Sequence, residues 1–250
     1  MKNTDFKKYL NEFVKLYNNK PIQDNTGGMK FPHMFATYCF LKELNPKLII
    51  ESGVWKGQGT WLMENTCPNA KIISIDTNLF YRQYISNNVT YSSSDILNHN
   101  LNEYVQNYAN GNENDVVIFL DDHQNVLNRL KYLYESTNIK NILYEDNYPS
   151  NQGDCLSIKK ILENKKYVID SAGVRNWYDS NPEDNKYLVS IIDTYFEFPP
   201  IIKPSHTRWG DLWDSNYETK LPLYDELPFE IFKYENEMKD YTWICYVRIK

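Results

Sequence analysis

Apolar and polar positions change period along the chain, and the changes mark its elements. From Asp5 to Tyr17, Phe6, Tyr9, Leu10, Phe13, Val14 and Tyr17 recur at helical spacing and predict an amphipathic helix. Residues 18–32 hold Pro21, Gly27, Gly28 and Pro32 and read as a loop. A second helix, His33 to Leu44, stops at Asn45-Pro46. Short apolar runs then alternate with helical ones. Strands are expected over Leu48–Glu51, Lys71–Asp76, Asn88–Ser92, Asp115–Asp121 and Asn141–Glu145. The helices between them are Thr60–Asn65, Leu97–Tyr108, Gln124–Ser136 and Asp154–Glu163.

Strands and helices alternating at this spacing predict parallel β-α-β units covered on both faces. The expected fold class is α/β: a Rossmann-like, doubly wound, mostly parallel sheet in a three-layer α/β/α arrangement. The last stretch breaks the alternation. Phe229–Tyr234 and Tyr241–Ile249 read as strands joined by the polar turn Glu235–Asp240, so the sheet should end in an antiparallel hairpin. We expect one domain over residues 1–250, with an N-terminal helical extension (about 1–45) and a Pro- and Trp-bearing insertion (about 164–227) that is helical near Tyr187–Phe196.

Composition excludes several classes. The chain has 27 Lys and Arg against 33 Asp and Glu, a net charge of −6, which argues against a nucleic-acid partner. No run of 18 apolar residues suggests a membrane span, and the start lacks the apolar core of a secretory signal. Cys39, Cys67, Cys155 and Cys245 are far apart and read as free thiols of a reducing, cytoplasmic compartment, the host's if the source is viral. Asn, Tyr, Lys and Ile are frequent and share AT-rich codons, which accounts for much of the 15% aromatic content.

Candidate chemistry begins at Glu51-Ser52-Gly53-Val54-Trp55-Lys56-Gly57-Gln58-Gly59-Thr60, where a strand enters a glycine turn and then a helix. Glycines there let the backbone approach a ligand. The spacing fits the G-x-G-x-x-G dinucleotide fingerprint poorly, which disfavours an NAD-dependent oxidoreductase. Asp76 ends the next strand, where a carboxylate can accept both ribose hydroxyls. Asp95 follows Ser92-Ser93-Ser94. With these residues the chain resembles the class I S-adenosylmethionine-dependent methyltransferases over roughly residues 25–165 and the closing strands. The resemblance implies that Glu51, Gly53, Gly57 and Thr60 pass the methionine part, Asp76 holds the ribose and Asp95 touches the adenine.

Two acidic turns follow, Asp121-Asp122-His123 and Glu145-Asp146-Asn147, each closing a strand. Adjacent strands bring such turns to one crevice, and a carboxylate cluster normally holds a cation. Oxygen ligation suits Mg²⁺ or another divalent cation. The pairing is similar to the metal-dependent small-molecule O-methyltransferases. Catechol-type enzymes carry Asp-His and then Asp-Asn. Macrolide-sugar and cephalosporin-hydroxylase-like proteins carry an Asp-rich turn with a later His and then Glu-Asp. Here Asp122 and His123 are contiguous, a departure that leaves Asp121 competing with Asp122, and Glu145 with Asn147. The resemblance implies metal ligation by Asp122, Asp146 and Glu145 or Asn147, with His123 as catalytic base. It also implies O-methylation of a small acceptor, a sugar or glycan first and a catechol second. A non-catalytic cofactor-binding or assembly protein is the rival, and a homo-oligomer stays open. His33, His99 and His206 read as structural. Trp177, Trp209 and Trp213 are candidates to stack on a sugar face.

Overall fold

The computed structural model describes residues 4–150, 152–163, 182–208, 210, 212–213 and 219–250. Seven strands form one sheet: β1 Leu48–Ser52, β2 Lys71–Asp76, β3 Val89–Ser93, β4 Val116–Leu120, β5 Asn141–Tyr144, β6 Ile192–Glu197 and β7 Cys245–Ile249. Their order is β3-β2-β1-β4-β5-β7-β6. The pairs from β3 to β5 are parallel, and β7 runs antiparallel to both β5 and β6. The Rossmann-like sheet with an antiparallel end is therefore as expected.

The strand alternation sorts the core onto two faces. Ile49, Ile72, Val117, Phe119 and Leu143 pack against α1 Leu10–Tyr17, α2 Phe31–Leu44 and α3 Gln58–Thr66. Leu48, Ile50, Ile73, Val116, Ile118 and Ile142 pack on the other face. They lie under α4 Leu101–Ala109, α5 Val126–Ser136, α6 Ile158–Glu163 and α7 Pro182–Ile191. β4 is buried at all five positions, which is why its sequence is uniformly apolar.

Two expectations are corrected at the C-terminal end. Phe229–Asp240 is a 3₁₀-helical run, not a strand and turn. Its apparent alternation misleads because only Ile231 and Met238 are buried, while Phe229 and Phe232 face solvent. The partner of β7 is β6, at the end of the segment expected to be helical through Phe196; α7 stops at Ile191. The β-branched and aromatic run Ile192-Asp193-Thr194-Tyr195-Phe196 explains the switch. Among the described residues, no helix is long and apolar enough to cross a membrane. The four cysteines are free and buried.

Candidate functional site

The parallel strands β1 to β5 place their carboxyl ends along one edge of the sheet. Between β1 and β4 the chain order reverses, and a crevice opens at such a point. Two cavities occupy it. The first, ≈ 440 Å³, is lined by Gly53, Trp55, Asp76, Asp95 and Gln124 among others. The second, ≈ 400 Å³, is lined by Met29, His33, Glu145, Asp146, Tyr148, Asp154 and Arg208 among others. Gly27, Gly28, Asp121 and His123 line both, so the cavities meet at the turn after β4.

Glycine is required at position 53. Its φ is +96°, and a Cβ there would stand 1.9 Å from the Asp121 carbonyl oxygen. The turns after β1 and β4 thus touch backbone to backbone, secured by Asp121 N–H donating to Ser52 O at 2.8 Å. Asp76 Oδ2 accepts from Val54 N at 2.8 Å, and its Oδ1 accepts from Asn78 N at 2.8 Å. The carboxylate shapes the glycine turn while facing the first cavity.

Other expected cofactor residues sit elsewhere. Glu51 is buried and does not line either cavity. Its Oε2 accepts from Thr60 Oγ1 at 2.6 Å and Ser74 Oγ at 2.5 Å. Burial pushes its carboxyl up to about 7 despite those two bonds. Thr60 is consumed by this bond, and Gly57 starts α3 in the left-handed region, with Tyr84 O 2.9 Å from where a Cβ would be. These three build the floor under the turn rather than the cavity wall. Asp95 does line the first cavity, but Arg129 clamps it through two bonds of 2.8 Å.

The acidic turns divide in the same way. Asp121, His123 and Asp146 bring one ligand atom each within 4.8 Å of one another. Burial and neighbouring carboxylates push both Asp121 and Asp146 well above the usual carboxylate range. Asp146 Oδ2 is buried and makes no hydrogen bond. His123 Nδ1 lies 3.0 Å from Asp154 Oδ1 and 3.5 Å from Asp146 Oδ2. Asp154 and Asp146 push the imidazole up to about 11, against its burial. The residue also holds φ at 51°, an uncommon backbone for a side chain of this size.

Asp122, expected as a ligand, is turned away from this cluster. Its Oδ2 accepts from Ser52 Oγ at 2.7 Å and from Arg129 Nε at 2.9 Å. Asn147 is fully buried and bonds Tyr195, the Trp243 carbonyl and Lys159 N, so it is a structural amide. Glu145 lines the second cavity but faces His33: Oε1 is 2.7 Å from His33 Nδ1 and accepts from Thr242 Oγ1 at 3.0 Å. His33 Nε2 meets the Asp240 carbonyl, so that nitrogen carries the proton.

Sequence reasoning did not assign Arg129, Asp154, Arg208 or the place of His33. Arg129 lies on the inward face of α5, where only its charge could have signalled a role. Asp154 follows Gly153 at φ +68°, a turn that had read as helix. Trp213 is buried and stacks on Trp243 at 5.1 Å, inside a cluster with Tyr148 and Tyr241. Trp177 and Trp209 lie outside the described residues.

No protein-family model matches the chain, and the search of curated proteins found no match. Solved structures are similar. The apo structure of CmcI shares 22% identity over 51% of this chain, with a TM-score of 0.41, and the chain spans 57% of its length. A CmcI structure with Mg and SAM shares 16% identity over 92% of this chain and 78% of that one, with a TM-score of 0.47. The O-methyltransferase from Bacillus cereus in complex with SAH shares 10% identity over 78% of this chain and 84% of that one, with a TM-score of 0.42.

Proposed function

We propose that this chain is an S-adenosylmethionine-dependent O-methyltransferase that uses a divalent cation, Mg²⁺ first, to methylate a hydroxyl of a polar small acceptor, a sugar. The observation that carries the reading is the meeting of two cavities at Asp121 and His123. A methyl donor in one and a hydroxyl in the other would face each other across that wall.

The residues present fit both groups. Asp76 and Asp95 stand where a nucleoside is held in such a sheet, and Gly53 keeps the turn beside Asp76 low. Two carboxylates and one imidazole, with Asp146 Oδ2 lacking a hydrogen bond, fit a divalent cation. When bound, the sulfonium supplies an electrophilic methyl, and the cation makes the acceptor hydroxyl more acidic. Asp121, on the wall that the two cavities share, and Asp146, in the second cavity, would hold the cation. His123 would join them as the nitrogen ligand in place of the general base drawn from the resemblance, with Asp154 fixing its ring. Four carboxylates, two imidazoles and a guanidinium line the second cavity beside Met29 and Tyr148, a set of hydrogen-bonding groups that a polyhydroxyl acceptor can use. That favours a sugar over a catechol.

The test is methyl transfer to matched panels of sugars and catechols, with EDTA and then with Mg²⁺ restored. Transfer that survives chelation refutes the metal role. Binding of NAD without binding of S-adenosylhomocysteine refutes the whole reading.

A further inference from the structure

A second chain of polar side chains, apart from the acidic turns, ends at the first cavity. Ser94, just past β3, lines that cavity. Its Oγ lies 2.5 Å from His99 Nε2, and His99 Nδ1 lies 2.8 Å from the Tyr104 hydroxyl on α4. Tyr132 of α5 donates to the His99 carbonyl at 2.6 Å, which fixes the backbone behind the ring. The proposed cation site uses none of these residues.

Burial holds the His99 imidazole below its ordinary value, although Asp95 pulls it up, and Arg129 shares the Asp95 charge. The ring is therefore uncharged at neutral pH and carries one N–H. Two arrangements of that proton are open. With the proton on Nδ1, the ring donates to a phenol oxygen, and the Tyr104 hydrogen meets no protein acceptor among the described residues. With the proton on Nε2, Tyr104 donates to Nδ1, and Nε2–H donates to Ser94. The second arrangement sets the more acidic hydroxyl against the basic nitrogen and joins Tyr104, His99 and Ser94 head to tail, each bond strengthening the next. Ser94 then accepts from the ring, and its own hydrogen turns away from it. A hydroxyl has one donor and two acceptor positions. His99 takes one acceptor position, and Ser92 Oγ, 3.3 Å away, can donate to the other, which leaves the donor for the cavity.

We infer that Tyr104 and His99 fix Ser94 as a hydrogen-bond donor into the first cavity, so that the site selects a ligand with an acceptor atom there, a ring nitrogen of a purine. The purine rests on the methyltransferase reading, in which the first cavity holds the adenosine part of the cofactor; the direction of the chain does not. His99 and Tyr104 are positioning residues, since neither lines the cavity.

Two measurements test it. Long-range nitrogen–proton NMR on the labelled whole chain at neutral pH reads the His99 ring, assigned by its loss in His99→Gln. Nε2 should be protonated and Nδ1 bare; the reverse, or a doubly protonated ring, overturns the inference. Calorimetry then compares S-adenosylhomocysteine with its deaza analogues, each lacking one ring nitrogen. One analogue should bind about 2- to 10-fold weaker than S-adenosylhomocysteine itself, the loss of one hydrogen bond. That gap should close in Ser94→Ala and narrow in Tyr104→Phe, which changes no group that lines the cavity. A gap that stays equal in Ser94→Ala for every analogue, or no gap at all, removes Ser94 as the donor. An unchanged gap in Tyr104→Phe removes Tyr104 from the chain. No binding of S-adenosylhomocysteine to the unaltered protein refutes the methyltransferase reading and the purine with it, while the NMR still decides which way Ser94 points.

Discussion

Arg129→Met should destabilise the chain by breaking the tie between two turns of the first cavity. The Arg129 side chain is 6% exposed and bonds Asp95 twice at 2.8 Å and Asp122 once at 2.9 Å. Removing one partner of a buried ion pair costs about 3–5 kcal/mol, because the other charge stays buried. Two features lower that figure here. Asp95 keeps 31% of its side chain in solvent, and Asp122 retains the Ser52 hydroxyl. An expected loss of about 2–3 kcal/mol remains, or a fall in Tm of about 4–12 °C for a chain of this size. Thermal unfolding followed by circular dichroism reads it. Asp122→Asn in the Arg129→Met background should recover part of the loss, since the orphaned charge is then gone. The effect should also depend on pH. Burial pushes the Asp95 carboxyl up, but the Arg129 bonds outweigh it and hold the group below its ordinary value. Its contribution is present above the unfolded pKa of about 3.9 and is lost as pH falls through the lower folded value. The gap between variant and parent should therefore narrow in acid. A loss under about 1 kcal/mol, or no recovery on adding Asp122→Asn, would refute the reasoning.

Asp146→Asn should abolish Mg²⁺-induced stabilisation, which in the parent reaches about 2.7 kcal/mol at a hundredfold excess over Kd; an equal Mg²⁺ shift of Tm in both proteins removes Asp146 from the site. In EDTA the same variant should melt no lower than the parent, because it deletes a carboxylate that burial and Glu145 already disfavour. Glu51→Gln should flatten the alkaline loss of stability. The Glu51 carboxyl is raised to about 7, so its neutral form contributes fully below the unfolded pKa and the contribution is lost as pH rises through about 7. That is on the order of 3 kcal/mol between about pH 5 and about pH 9. Thr60 and Ser74 both donate to Oε2, so an amide oxygen can keep both bonds. Denaturant unfolding at the two pH values reads the effect, and parallel profiles for parent and variant would count against it.

Much of the fold was legible because burial on two faces leaves continuous apolar runs, as in Val116–Leu120, and because glycine turns and acidic residues follow the strands. The C-terminal region was not, since Phe229, Ile231, Phe232 and Tyr234 imitate alternation while two of the four are exposed. Edge strand β6 was hidden by its direct continuation from α7, with no intervening turn residue. The site was legible as turns but not as side chains. Glu51 and Thr60 sit in the expected motif, yet they bond each other below the cavity instead of reaching into it.

The choice between neighbouring acidic residues has a physical answer in strand parity. Along β4, Val117 and Phe119 face the α1–α3 layer, and Ile118 and Leu120 face the α4–α7 layer. The turn continues this alternation, since Asp121 N–H still bonds Ser52 O as a further ladder rung would. Asp121 therefore shares the Phe119 side and reaches the cavity walled by Met29 and His33, residues of the loop before α2 and of α2 itself. Asp122 shares the Leu120 side and meets Arg129 from α5. The same rule places Glu145 with Leu143, against His33 of α2. Two adjacent carboxylates on consecutive residues thus do different work. One faces a cavity with His123 close by, and the other is spent on an arginine that ties strand ends together. A pattern of residue types cannot separate them, but the period of two that built the strand can.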